Sequence, residues 1–304
     1  MTTFIRPIDI TSDVLADSTV GEVWPEWSAG GFASWVNYAA GTRVLRTGTR
    51  RVYECIVDVA SATPPEDDAA HWLDIGPANR WAAFDRSVGT LTTAVGGMTF
   101  DFLPPACDSI ALLDLQAARV EVDVYTDASA GELAYGRAID LADRAGVSSW
   151  YDYLAVPIDL QSTVVLTDLP PLHGGRVTVR ITAVSATSIA VGTCVLGTAV
   201  ALGDTRTGAS LGIVDYSRKK TDDYGVTDIV ERPWSGRITV PVSMRREQVD
   251  AVSRALSLIR AKPVVWLIAD DIDASVIYGF WTDWSITLSY PTHAEASITI
   301  QGLA

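Results

Sequence analysis

The sequence predicts a mainly β protein: a small three-stranded aromatic module, an antiparallel β-sandwich of jelly-roll type, and a C-terminal sheet with one packed helix. Three observations carry this. Apolar residues alternate with polar ones over short runs, as in Val120, Val122 and Val124 against Glu121, Asp123 and Tyr125, and again in Val177, Val179 and Ile181. Such a period of two puts one face in a core and the other toward water. Turn signals separate the runs at Gly96-Gly97, Pro104-Pro105, Pro170-Pro171 and Gly174-Gly175. Only one stretch has helical spacing, with Val249, Val252, Leu256 and Ile259 on one face.

In chain order, residues 1–29 read as an N-terminal arm. Residues 30–81 form a module dense in aromatics: Phe32, Trp35, Tyr38, Tyr53, Trp72 and Trp81. Residues 82–203 form the sandwich, since strands at this spacing with no helix between them favour antiparallel sheets packed face to face. Residues 204–228 are polar and rich in Gly, Asp, Arg and Lys, the composition of a linker or extended arm. Residues 229–304 form the last domain, with strands expected at 237–242, 264–269, 276–281, 284–290 and 296–301. Ser243 is the expected helix cap, Arg260 and Lys262 favour the C-terminal dipole, and Pro263 is the expected stop.

Composition narrows the function. The chain has 304 residues, 48% hydrophobic and 20% charged, long enough for two or three domains with real cores. A net charge of −14 disfavours a nucleic-acid partner, because phosphates demand a basic surface. The longest apolar stretch, at 188–202, is interrupted by Gly192, Thr193, Gly197 and Thr198, so no membrane insertion is expected. The first ten residues lack a basic start followed by an apolar run, so no secretory signal is expected. Cys55, Cys107 and Cys194 stand far apart without a CxxC pair and read as reduced, buried thiols.

Motifs for chemistry are sparse. Gly208-Ala209-Ser210-Leu211-Gly212 matches the G-x-S-x-G pattern, followed in order by Asp270 or Asp271 and His293. A nucleophile elbow needs a strand before the serine and a helix after it. Here a polar segment precedes and no helical periodicity follows, so a glycine-rich linker is the expected reading. Three single histidines, His71, His173 and His293, have no zinc-binding spacing. Asp270, Asp271 and Asp273 lack the glycine and the final carboxylate of a calcium loop, and read as a charged hairpin turn. No GxxxxGK[ST] and no GxGxxG occurs. The expectation is a non-enzyme with no cofactor and no metal.

The run from Trp35 through Tyr38, Gly41, Val44, Gly48, Val52-Tyr53-Glu54-Cys55 and Pro64-Pro65 to Trp72 resembles the small carbohydrate-binding modules of chitinase type. By that resemblance Trp35, Tyr38, Tyr53 and Trp72 are candidates to bind a sugar, whose apolar face an aromatic ring covers well. In so small a sheet some of these rings must instead form the core, and both readings stand. The continuation over residues 72–85 has the pattern W-L-D-x-G-P-x-N-R-W-x-x-F-D. It is similar to a block in tail proteins of long-tailed bacteriophages and prophages, where it follows such a module and precedes a β-sandwich. The segments 211–219, 278–281 and 290–293 are similar to the same proteins.

This resemblance implies a virion structural protein of the tail tip or baseplate, made in the host cytoplasm and carried in the tail. It implies other tail proteins (tube, hub or fibres) as partners, a homo-oligomeric ring of threefold or sixfold symmetry, and a module that either contacts a host-surface glycan or only docks a neighbouring protein. Tyr216, Arg218, Trp234, Trp281 and Trp284 are then candidate interface residues, although a tryptophan on a strand more often packs in a core. The competing classes are a polysaccharide hydrolase with an appended binding module and a free-standing lectin.

Overall fold

The computed structural model describes residues 1–29, 37–60, 63–143, 159–183, 186–221, 224–225, 227–269, 275–288 and 290–303. Strand makes up 53% and helix 9%, which establishes the mainly β class. The chain opens with β1 (Thr2–Pro7) and β2 (Leu15–Ser18), then the module strands β3 (Arg43–Arg46), β4 (Arg51–Cys55) and β5 (Trp72–Pro77). Next come β6 (Thr92–Val95), β7 (Gly97–Phe102), β8 (Ser109–Leu113), β9 (Arg119–Tyr125) and β10 (Leu133–Asp140). They are followed by β11 (Ala142–Asp143), β12 (Asp159–Leu160), β13 (Thr163–Leu166), β14 (Arg176–Thr182) and β15 (Ser188–Val191). The long β16 (Thr193–Thr205) leads to β17 (Ser210–Asp215), β18 (Arg218–Thr221), β19 (Thr227–Val230) and β20 (Trp234–Arg245). The chain closes with α1 (Val249–Leu258), β21 (Val264–Leu267), β22 (Val276–Thr287) and β23 (His293–Gly302).

The sandwich has jelly-roll wrapping, visible in its pairing. The antiparallel pairs β6·β15, β7·β14, β8·β13 and β9·β10 are nested one inside the next along the chain. One layer is the five-stranded sheet β10-β9-β14-β7-β2, and β13, β8 and the first half of β16 supply the other. Phe100, Phe102, Val120, Val122, Val179 and Ile181 of the first layer share a core with Ile110, Leu112, Val164, Leu166, Cys194 and Leu196 of the second. The alternation read in the sequence is therefore the inward face of β9 and β14. Their outward face carries cross-strand ion pairs, Arg176 with Asp101 and Arg180 with Asp123.

The second core belongs to a small barrel. Strands β16, β1, β21, β22, β23 and β20 pair in that order, and Asp204–Thr205 of β16 pair with Val242–Ser243 of β20 to close the circle. Closure needs a sharp turn of β16, and Gly203 supplies it at φ +147°, opposite a bulge between Thr2 and Thr3. A Cβ at Gly203 would collide with the Ser243 carbonyl. Inside lie Phe4, Leu202, Val240, Trp266, Ile298 and Ile300, and α1 adds Val252 and Leu256.

Several expectations change. The N-terminal arm is not an arm: β1 is an interior strand of the nine-stranded sheet, and β2 edges the sandwich. Phe4 and Ile5 point into opposite apolar clusters, which is what a strand buried on both faces requires. The described residues of the expected linker at 204–228 are structured too, as the end of β16, the edge strand β17 and the paired strands β18 and β19. Ser243 lies within β20, opposite Glu295, and does not cap the helix. The entry turn is held instead by Gln248, whose side-chain oxygen accepts from the Arg245 backbone N–H at 3.3 Å. The two strands expected at 276–290 are one strand, β22, with a bulge between Trp281 and Asp283. The expected aspartate turn at 270–273 lies outside the described residues.

Phe4 is fully buried against the Trp266 ring, 5.3 Å between centroids, so Phe4→Ala should cost about 3–5 kcal/mol, read as a lowered denaturant midpoint. Burial pushes the Asp101 carboxyl up, but the hydrogen bonds from Arg176 and Thr178 outweigh it and hold Asp101 below the usual carboxylate range. A depressed carboxylate stabilises the fold above its unfolded-state value and loses that contribution as pH falls through its folded-state value. Asp101→Asn should thus destabilise by about 1–3 kcal/mol near neutrality, with the gap narrowing in urea titrations carried below about pH 4.

Candidate functional site

The aromatic module is built on the antiparallel sheet β3-β4-β5, in which Val44 pairs with Tyr53 and Cys55 with Trp72. Alternation sends Val44, Tyr53, Cys55 and Trp72 to one face, where Tyr38 and Trp27 cover them. Tyr38 and Trp72 meet edge to face at 5.1 Å. The Tyr38 hydroxyl donates to the Ser28 carbonyl at 3.1 Å and accepts from the Ser28 N–H at 3.0 Å. Tyr38, Tyr53 and Trp72 are each less than a tenth exposed, so these three sequence-selected rings form the module's core and present no open platform. Trp35 lies outside the described residues. A three-stranded sheet has no other bulk with which to fill its interior, which is why the rings turn inward.

Among the described residues, the module's exposed aromatic is Trp24, which lies in the segment expected to be an arm. It is 37% exposed, and the Arg43 guanidinium sits 5.3 Å from its ring centre. Arg46 lies over Trp27 and grips Glu66 with two nitrogens, and Arg43 pairs with Glu54 at 2.7 Å. The signal for this edge was present in Glu22-Val23-Trp24-Pro25-Glu26-Trp27, but residues 30–36 separate it from the module in sequence.

Residues 72–85 act as a joint. After β5 a six-residue 3-10 helix, Asn79–Phe84, crosses from module to sandwich. The Asn79 amide donates to the carbonyls of Gly21 and Thr93 at 2.8 and 2.9 Å, and its oxygen accepts from the Thr93 N–H at 2.9 Å. Glu22 accepts from the N–H groups of Asn79 and Arg80. On one side Arg50 stacks over Trp81 at 4.0 Å, and on the other Phe84 meets Phe100 and Phe102 edge on. Asn79, Trp81 and Phe84 thus have packing or hydrogen-bonding duties at the joint, Trp72 and Asp74 serve the module itself, and Leu73 is exposed.

The G-x-S-x-G segment forms no elbow. Gly208 makes a turn at φ +107°, and Ser210 opens the edge strand β17, opposite Thr239. His293 pairs with Arg245 on the same β20. Thr239 and Arg245 stand six positions apart along β20, which sets Ser210 and His293 about 20 Å apart. Asp270 and Asp271 lie outside the described residues. Among the described residues no group of three or more His, Cys, Asp or Glu could hold a metal ion, and no helix is long and apolar enough to cross a membrane. The three cysteines are unpaired and buried, with burial pushing Cys107 up to about 11 and Cys194 further in the same direction.

The candidate interface residues divide. Trp281 and Trp284 are half-buried against the barrel core, and the Trp281 indole donates to the Leu256 carbonyl at 3.3 Å. Trp234 is 60% exposed, Tyr216 is partly exposed, and Arg218 begins the exposed β18. Trp234 also lines a groove of about 750 Å3 with Leu211, Ile213 and Tyr278. Comparison with known protein families and with curated proteins finds no match to this chain.

Because Trp72 fills the module's interior, Trp72→Ala should remove the module's share of the melting transition and cost about 3–5 kcal/mol, as large aromatic truncations do. Trp24→Ala should leave the melt nearly unchanged. Differential scanning calorimetry on the two variants checks both.

Proposed function

We propose that this chain is a structural component of a long-tailed phage tail tip or baseplate, assembling with other tail proteins as a ring. One observation carries the reading. Residues 72–85, whose pattern resembles tail proteins, form the joint between module and sandwich, and Asn79, Trp81 and Phe84 within it are spent on that joint. A block used in this way marks a shared architecture and not a shared reaction. The wide separation of Ser210 from His293 counts against a Ser-His nucleophile and base, which is one form of the hydrolase reading. The exposed edge strand and hairpin provide backbone and apolar surface suited to neighbours in an assembly. Within the tail the module is the part suited to touch a host-surface glycan. Trp24 and its Arg43 partner, not the buried trio, are the groups placed to do so.

The test is cryo-electron microscopy of phage particles from a host expressing the chain, with a tag in the exposed turn at 126–129 between β9 and β10, away from the hairpin. Density at the distal end of the tail is expected. A chain found only free in the lysate, with tails complete without it, would overturn the proposal.

A further inference from the structure

Strand β17 ends the nine-stranded sheet, paired with β20 on one edge and, among the described residues, with nothing on the other. Its apolar side chains are uncovered, Leu211 at 55% and Ile213 at 69% exposure. A free edge presents a row of backbone N–H and C=O groups ready to pair with another chain.

The groove of about 750 Å3 borders this strand. Leu211, Gly212 and Ile213 all line it, so the backbone of β17 as well as its side chains is open to it. Trp234 of β20 continues the rim, and Gly236 and Gly302 add no side chains to fill the floor. Neighbouring strands of a sheet turn their side chains to the two faces in step. A strand added at the free edge of β17 therefore places every second side chain on the face of Leu211 and Ile213, over the groove.

Charge narrows the occupant. Among the described residues the groove's charged lining residue is Asp114, exposed just after β8 at φ +53°. No hydrogen bond or ion pair engages its carboxylate among those residues. An unpaired carboxylate beside apolar walls favours a basic residue and repels an acidic one. The exposed hairpin of this chain is a poor match, because its lysines are already answered: Lys219 pairs with Asp215 at 3.7 Å and Lys220 stands opposite Asp228.

We infer that the groove and the free edge of β17 form a strand-addition site for an extended segment of a different protein. That segment carries apolar side chains at alternate positions and a lysine or arginine that meets Asp114. The inference goes beyond the tail reading and depends on the groove alone.

The test uses the full chain and the fluorescence anisotropy of a labelled peptide. The peptide has the length of β17, alternates valine with threonine and ends in lysine, and a second peptide ends in glutamate. The lysine peptide is expected to bind, the glutamate peptide about tenfold more weakly, and Asp114→Asn to bring the two within about twofold. Leu211→Asp with Ile213→Asp should weaken the lysine peptide by about tenfold or more. Backbone pairing is read by N-methylation. Methyl groups on the valine nitrogens block one edge of the strand and those on the threonine nitrogens the other, so one methylated peptide should lose about tenfold and the other little. The substituted positions are exposed, so circular-dichroism melts should match the wild type. If Asp114→Asn melts early, Asp114→Gly, suited to the positive φ, replaces it, and Trp234→Glu replaces an unstable β17 variant.

No binding of the lysine peptide, equal binding of the lysine and glutamate peptides to wild type, or methylated peptides that bind alike would each overturn the site. Self-association of the wild type in sedimentation velocity, dispersed by the lysine peptide, would assign the groove to a second copy and overturn it as well. A chain that passes these tests yet is absent from phage particles removes only the tail reading. A particle-borne chain that fails them removes only this site.

Discussion

The fold depends on the insertion of β1 between β16 and β21. Its backbone completes two ladders at once, Phe4 facing Val200 on one side and Trp266 on the other. Its side chains feed two apolar clusters, Phe4 the barrel core and Ile5 a separate cluster with Ala111, Val195 and Val265 on the sheet's other face. Without β1 the barrel has a gap between its first and third strands, each with unpaired backbone groups in an apolar setting, which is costly. A strand of six residues at the start of the chain thus joins the barrel to the sandwich through the long β16.

Strand β16 does the complementary work. Its first half puts Cys194 and Leu196 into the sandwich core, and its second half puts Leu202 into the barrel. Gly197 marks the crossing, where a Cβ would meet the Arg6 carbonyl, and Gly203 marks the turn that brings β16 to β20. Sandwich and barrel are therefore not beads on a linker. They share a continuous nine-stranded sheet, and a load on one reaches the other through backbone hydrogen bonds.

The module is attached differently, by side chains. Asn79, Glu22, Trp81 and Phe84 span the junction, each answering a polar or aromatic group on the far side. The same economy of bulk explains its rings. With Val44 and Cys55 as the only strand aliphatic and thiol groups on that face, Tyr38, Tyr53 and Trp72 have to supply the interior. Exposed apolar side chains include Trp24, Leu211 and Ile213 of the β17 edge, Ile229 and Val230 of the hairpin, and Ile56, Val57, Leu73 and Ile75 on the module itself.

Local pattern by itself determined the strands β9 and β14, the helix α1, the turn at Gly96 and the mainly β class, because alternation, helical spacing and turn chemistry act between near neighbours. The block at 72–85 could be picked out as distinctive, but its role as a joint depends on Gly21, Thr93 and Phe100, which lie outside it. Only the tertiary structure decided that the first residues are an interior strand, since Thr2 finds its partner at Gly203. It also decided that the glycine-rich segment around Ser210 is an edge strand, and which aromatics face inward. Sequence specifies the two faces of a strand, but which face is covered depends on pairing with residues far along the chain, and that pairing leaves no local mark.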